Sequence, residues 1–241
     1  MKLIQVREEI IVSKRQKDQE KLIKRYNLPD MLMHWAVAAG FILALLTGYV
    51  VFFEGTSKFL VNEIGYVIRL LHRIGGVILV AAPLIYFIFS KKRFGFLEAF
   101  KWNKSDFGWL KAAPKHYYGF ESDMPAQRKY NTGQKLFYLG AIVLGILLAI
   151  SGVILWFGLG SDMFGLVMLF VHDVSAVAIT PLFLVHVYLV VWNPNDRASF
   201  NSMTTGYMDR EYAKKNHAIW YEQVTKEEKQ QEAKTDKPKV S

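Results

Sequence analysis

Two of the six histidines in this chain lie fourteen residues apart in FVHDVSAVAITPLFLVHV, residues 170–187, a stretch that is otherwise almost wholly apolar. On a helix, fourteen residues make just under four turns. His172 and His186 therefore project within about 40° of one face, roughly 21 Å apart along the axis. Two further histidines, His34 and His72, lie in other apolar stretches. An imidazole can ligate a metal, relay a proton or hydrogen-bond a neighbouring helix. The chain has no cysteine, which excludes disulfides, thiolate-held iron–sulfur clusters and covalent attachment of haem through a CxxCH motif. Any redox centre it holds must use histidine or another non-thiol ligand.

The elements that must position these residues are membrane spans. The chain is 52% hydrophobic and 15% aromatic yet carries 30 Lys plus Arg. That balance suits a multi-span membrane protein with basic flanks better than a soluble globule. Four stretches are long enough to cross a hydrocarbon core, which needs about 20 apolar residues. They are Met31 to Phe53, Tyr66 to Phe89, Leu136 to Gly160 and Leu166 to Trp192. Their length and lack of period-two alternation predict helices. The fold class expected is an all-α integral membrane protein, a bundle of four transmembrane helices.

The net charge of +9 reflects one side of that bundle, not a nucleic-acid partner. Residues 1–33 carry eight Lys or Arg, the loop from Lys91 to Gly133 nine and the tail after Trp192 nine. The loop between the first two spans has Lys58 alone, and the loop between the last two has none. The positive-inside rule then places both termini and the central loop in the cytoplasm. The first thirty residues have no short apolar core or small-residue cleavage site, so a cleaved signal peptide is not expected. The organisation predicted is a charged cytoplasmic extension over 1–30, a four-helix membrane domain over 31–192 with its loop at 91–133, and a cytoplasmic tail over 193–241. Trp102, Trp109, Tyr117 and Tyr118, among lysines in that loop, read as interfacial. The terminal TKEEKQQEAKTDKPKVS has a disordered composition, and no repeat at a fixed period is evident.

This orientation assigns each intramembrane histidine a depth. His34 lies at the cytoplasmic end of span one and His72 near the periplasmic end of span two. On span four, His172 is periplasmic in depth and His186 cytoplasmic. Depth therefore pairs His72 with His172 and His34 with His186. A bundle with facing histidines at two levels offers two six-coordinate sites for non-covalent b-type haem. Helix–helix hydrogen bonding explains one such histidine; four at two matched depths favour axial ligation. A transporter site would normally add carboxylates, and only Asp173 lies inside a span.

Arg69 precedes His72 by three residues and shares its face, so it can pair with a haem propionate or simply snorkel to the interface. Gly40, Gly48, Gly75, Gly76, Gly140, Gly145 and Gly152 permit close approach, of porphyrin or of another helix. His116 and His217 have no partner matched in depth and read as solvated or as contacts to a neighbouring subunit.

These residues resemble a known family. MHWAVAAGFILALLTG, RLLHRIGGV, KYNTGQK, LFVHDVSA, FLVHVYLVVW and the C-terminal MDREYAKKNHAIWYEQ look like the cytochrome b (gamma) subunit of respiratory, membrane-bound formate dehydrogenase. The likeness covers about Tyr26 to Gln223. The helix motifs are shared with hydrogenase and thiosulfate-reductase cytochromes b, whereas YNTGQK and the tail point more narrowly to formate dehydrogenase. The resemblance implies two b haems with the pairing that depth predicts, and a menaquinone site at Asn131, Gly133 and Gln134 with His186 close to haem and quinone. It also implies an iron–sulfur subunit and a molybdenum or tungsten catalytic subunit on the periplasmic side, and a higher oligomer of the heterotrimer. The location implied is the bacterial inner membrane. Asn131 or Thr132 as N-cap and Gly133 as a turn residue would explain NTG structurally, and both roles can coexist. Three departures stand out: the N-terminal extension, Asp173 after His172 where a small residue is usual, and Asn216–His217 where relatives often have two histidines. A carboxylate beside His172 would tend to lower the potential of a nearby haem.

The function expected is transmembrane electron transfer. Electrons from formate oxidation would pass through the haem at His72 and His172 to that at His34 and His186 and reduce menaquinone on the cytoplasmic side. The chain carries no molybdenum-binding or cluster motif and so no formate chemistry of its own. The rivals are a cytochrome b of a hydrogenase or thiosulfate reductase and, in another class, a haem-free transporter or membrane anchor.

Overall fold

The computed structural model describes residues 21–53, 63–91, 94–118, 120, 123–193 and 196–235. Most of the N-terminal extension, the loop after span one and the last six residues lie outside the described residues. The chain divides into two compact units. One holds the described residues of Asn27–Phe96 and Phe137–Asn193; the other holds those up to Tyr26, Leu97–Leu136 and those after Asn193.

The first unit is built from four helices long and apolar enough to cross a membrane: α1 (Leu28–Phe52), α2 (Glu63–Phe89), α4 (Thr132–Phe157, of which residues up to Leu136 belong to the other unit) and α5 (Asp162–Val187), the last continued by a π turn over Tyr188–Trp192. At 1.5 Å per residue each exceeds the hydrocarbon thickness of about 30 Å. The boundaries follow local chemistry. Asn27 N donates to the Asp30 carboxylate at 2.9 Å at the start of α1, and Pro29 stands in its first turn, where a missing N–H costs nothing. Span three ends at Phe157 rather than Gly160. Gly158 takes a left-handed φ of +60°, and Leu159 N reaches back to Ile154 O at 3.0 Å, closing a Schellman cap. Ser161 then caps α5, its hydroxyl accepting from Phe164 N.

Within this unit α1 and α2 approach through glycine. A Cβ on Gly75 would lie 2.7 Å from Ala44 N, and one on Gly40 would lie 2.9 Å from Gly75 O, so neither position tolerates a side chain without moving backbone. Polar links join the spans where hydrocarbon supplies no other partner. Tyr86 donates to Asp30 at 2.6 Å, and Tyr49 donates to Thr180 Oγ1 at 3.1 Å, while Thr180 donates to Ala176 O.

The second unit has a two-stranded antiparallel sheet, β1 (Leu22–Lys24) with β2 (Tyr207–Asp209), in the register Ile23 opposite Met208. Around it lie α3 (Lys104–Tyr117), α6 (Arg197–Thr205), α7 (Arg210–Asn216) and α8 (Ala218–Thr235). Ile23, Met208, Ala213 and Trp220 form its apolar core, with Tyr212, Tyr221 and Val224 packed against it. The tail beyond Thr225, read from composition as unfolded, is helical to Thr235. Its polar sequence rides on Tyr221 and Val224, and Glu228 pairs with Arg210 at 2.9 Å. His217 corrects the expectation of a solvated residue or subunit contact. It is fully buried inside this unit, its Nδ1–H donating to Arg128 O at 2.8 Å, and burial pushes its imidazole down to about 3. Trp109, read as interfacial, is also buried here; a Cβ on Gly133 would meet its indole at 2.9 Å.

Beside Trp109 lies an ion pair with no counterpart in the sequence reading. Lys135 Nζ donates to both oxygens of Asp106, at 2.7 and 2.9 Å, and to Lys101 O at 2.8 Å. Both side chains are about 1% exposed. Thr132 Oγ1 donates to Asp106 Oδ1 at 2.9 Å and Asn103 N to Oδ2 at 2.8 Å, so the carboxylate is saturated. Burial pushes the Asp106 carboxyl up, but the hydrogen bonds from Lys135, Asn103 and Thr132 outweigh it and hold it below its ordinary 3.8. A carboxyl depressed on folding stabilises above its unfolded value and loses that contribution as pH falls through its folded value. The pair is therefore intact at neutral pH and fails only in acid below about pH 4. Removing one partner strands the other charge, at a cost of about 3–5 kcal/mol. Asp106→Ala is expected to lower the thermal unfolding midpoint of the purified protein by several degrees. The double substitution Asp106→Leu with Lys135→Met should recover much of that loss, and equal midpoints for wild type and Asp106→Ala would count against the assignment.

Candidate haem-binding site

The four spans bring the histidines together in the two pairs that depth predicts. The rings of His72 and His172 are 6.1 Å apart, centre to centre, with planes inclined by 70°. Those of His34 and His186 are 6.5 Å apart and inclined by 61°. Two metal–nitrogen bonds of roughly 2 Å, each extended by roughly 1 Å from nitrogen to ring centre, separate such centres by about 6 Å. Both pairs have that spacing. Among the described residues no group of three or more His, Asp or Glu converges as a metal cage. Two imidazoles alone suit a macrocycle that brings its own equatorial donors, and so these residues fit haem.

The His72–His172 pair is braced on each side by the span that precedes the histidine. His72 Nδ1 lies 2.9 Å from Ala44 O, which can only accept, so Nδ1 carries the proton and Nε2 keeps the lone pair. Thr47 Oγ1 stands 3.3 Å from the same nitrogen, its own proton committed to Leu43 O at 2.6 Å. His172 Nδ1 lies 2.9 Å from Ser151 Oγ, and Ser151 likewise donates to Leu147 O at 2.6 Å, which leaves its lone pairs for the imidazole N–H. A glycine follows each hydroxyl residue. A Cβ on Gly48 would meet the His72 ring at 3.1 Å and one on Gly152 the His172 ring at 3.3 Å. Thr47-Gly48 against His72 and Ser151-Gly152 against His172 form one device used twice, in the α1–α2 and α4–α5 hairpins. The sequence reading missed it because the separations, 25 and 21 residues, differ. The recurring signal was a hydroxyl residue followed by glycine one span before each histidine.

The His34–His186 pair is held by packing. The Phe137 ring stacks on His186 at 4.3 Å and 14°, and Trp35 meets His34 edge-on at 5.2 Å. His34 Nδ1 is buried with no hydrogen-bond partner among the described residues.

The seven glycines divide by role. Gly48 and Gly152 face the imidazoles of His72 and His172, Gly40 and Gly75 face each other's helices, and Gly140 faces Leu182. A Cβ on Gly76 or Gly145 would meet nothing within 4 Å. Arg69 is exposed on α2, one turn before His72. The Arg73 guanidinium lies over the ring of Trp156 on another span, 5.2 Å from its centre.

Asn131 and Gln134 lie in the second unit with a clear local role. Asn131 Oδ1 accepts from Gln134 N at 2.9 Å and Gln134 Oε1 accepts from Asn131 N at 3.1 Å, a capping box that opens α4. Gln134 Oε1 also accepts from Arg25 at 3.4 Å. Asn131 is thus the N-cap, and Gly133 is helical rather than a turn residue, its missing side chain making room for Trp109. Both amides use their oxygens in the cap, and each also carries an NH2 donor.

A side chain in place of Gly152 would push the His172 ring away from its partner. Gly152→Val is expected to cut protein-bound haem by about one per chain, read as pyridine haemochrome, whereas Gly145→Ala should leave the count unchanged. Full haem in Gly152→Val would show that the close approach is dispensable.

Residues 25–206 match the prokaryotic cytochrome b561 family. The chain is 31% identical over 210 residues to the formate dehydrogenase cytochrome b556(fdo) subunit of Escherichia coli K12, covering 85% of this chain and 94% of that one. To the nitrate-inducible formate dehydrogenase cytochrome b556(Fdn) subunit of the same strain it is 27% identical over 219 residues, 88% of this chain and 96% of the other. To the formate dehydrogenase cytochrome b556 subunit of Haemophilus influenzae it is 26% identical over 210 residues, 83% and 82%. With four apolar helices, two histidine pairs at ligand spacing and a match over most of its length, the chain belongs to the prokaryotic cytochrome b561 family.

Proposed function

We propose that this chain is the di-haem membrane subunit of a formate dehydrogenase complex, conducting electrons from periplasmic formate oxidation to menaquinone at the cytoplasmic side of the bacterial inner membrane. The observation that carries the reading is the spacing of the two imidazole pairs, 6.1 and 6.5 Å. His72 and His172 would hold one b haem, His34 and His186 the other. Bound there, each iron supplies a one-electron carrier. The surrounding apolar helices exclude water from it. Arg69, exposed one turn before His72, is the residue proposed to meet a propionate.

The positive-inside distribution supports cytoplasmic termini and a cytoplasmic central loop, which puts the His72–His172 pair toward the periplasm. The names of the relatives support a formate dehydrogenase assembly, with an iron–sulfur subunit and a molybdenum or tungsten catalytic subunit as partners and a higher oligomer of the heterotrimer. Asn131, Gly133 and Gln134, with His186, are the proposed quinone-binding residues. In support, the capping box holds both amides rigid through their oxygens while each retains an NH2 that can donate to a quinone carbonyl. Moving one electron inward against the membrane potential stores about 2.3 kcal/mol per 100 mV.

A reduced-minus-oxidised spectrum with a haem count tests the scaffold. Two b haems per chain are expected, one in His34→Ala and one in His172→Ala, whereas a haem-free folded protein would overturn the reading and favour a transporter or anchor. Asn131→Asp tests the quinone site, because it keeps the N-cap acceptor and turns the NH2 donor into a carboxylate oxygen that cannot donate. Formate-driven haem reduction should persist while quinol formation falls several-fold to about tenfold, the worth of one hydrogen bond. Undiminished quinol formation would remove Asn131 from the site.

A further inference from the structure

We infer that Ser151 and Thr47 are positioning residues that make the haem of the His72–His172 pair the lower-potential of the two. The inference rests on the two-haem reading above and adds an order of potentials to it.

The argument is the difference between the pairs. On His172 the Nδ1–H faces Ser151 Oγ at 2.9 Å, with the backbone carbonyl of Leu148 beside it. On His72 it faces Ala44 O at 2.9 Å and Thr47 Oγ1 at 3.3 Å. Both hydroxyls are locked as acceptors, because their only protons go to the carbonyls of Leu147 and Leu43, each at 2.6 Å. Ser151 is fully buried and Thr47 nearly so, and no solvent competes for either bond. An acceptor on the remote N–H pushes electron density through the ring, makes Nε2 a stronger donor and favours the ferric over the ferrous iron. Among the described residues the other pair shows no such acceptor. His34 Nδ1 is buried without a partner among the described residues, and His186 is held by the face of Phe137.

Two hydroxyls placed one span before their histidines thus lower one potential and leave the other high. An electron on the His72–His172 side then moves downhill to the His34–His186 side, in the direction of quinone reduction. Part of the work done against the membrane potential is offset by that step. Gly48 and Gly152 belong to the same device, since a side chain at either position would hold the imidazole off its hydroxyl.

The test is an equilibrium redox titration of the purified complex, followed at the haem α-band and accompanied by a haem count on each sample. The wild type is expected to titrate in two steps. His34→Ala, retaining the His72–His172 haem alone, should titrate at the lower one. Ser151→Ala should raise the lower step and leave the upper in place, and Ser151→Thr should return it to the wild-type value. Thr47→Val, which leaves His72 its bond to Ala44 O, provides a milder variant that keeps its haem and shifts the same step less. Two bound haems with the lower step unmoved in both Ser151→Ala and Thr47→Val would overturn the inference. So would equal movement of both steps, or His34→Ala titrating at the upper one. A wild type with fewer than two haems would instead overturn the parent reading, and the count distinguishes the two failures.

Discussion

A neutral imidazole in hydrocarbon can leave neither ring nitrogen idle without cost, and the helical unit is arranged around that constraint. Water is absent, so each nitrogen must find a partner supplied by the chain or by what the chain binds. At His72 and His172 the solution is a division of labour. Nδ1 gives its proton to an oxygen on the preceding span, which leaves Nε2 with its lone pair free to bind. Tautomer and ring orientation follow from that hydrogen bonding. The glycines that adjoin those oxygens are required by the same bond, because a side chain there would hold the ring away.

The hydroxyls do double duty. Serine and threonine in a membrane helix normally donate to the carbonyl one turn back, and Ser151 and Thr47 both do so. That local bond is what turns each oxygen into a committed acceptor for the neighbouring helix. The second unit solves an analogous problem with charge. Asp106 and Lys135 are both out of water, and the carboxylate is saturated by Lys135, Thr132 and Asn103. This ties the start of α4 to α3. The capping residues Asn131 and Gln134 therefore open a helix whose first turn is anchored, which is the rigidity a binding site at that turn needs.

Much of this was legible in the sequence. The spans, the pairing of His34 with His186 and of His72 with His172, and the N-cap at Asn131 all follow from patterns within a few turns of one helix or from depth in a slab of known thickness. Where the reading went astray, the partners were distant. His217 and Trp109 look like surface residues until β1 and β2 pair across more than 180 residues and α3 packs on the start of α4. Residues 225–235 are too polar to predict folding from composition, and they are helical because Tyr221 and Val224 give α8 an apolar foothold.

The amino-acid sequence by itself determined that the chain crosses a membrane, which histidines share a depth, and that no thiol takes part. Hydropathy, charge and helical rise are local or one-dimensional quantities, and they suffice for that. Which nitrogen of His72 and of His172 carries the proton was decided only by tertiary structure. So were the choice of Thr47 and Ser151 as acceptors and of Lys135 as the partner of Asp106. These depend on distances of about 3 Å between residues twenty or more positions apart. Such distances are set by how helices pack against one another, and no periodicity within a single helix encodes them.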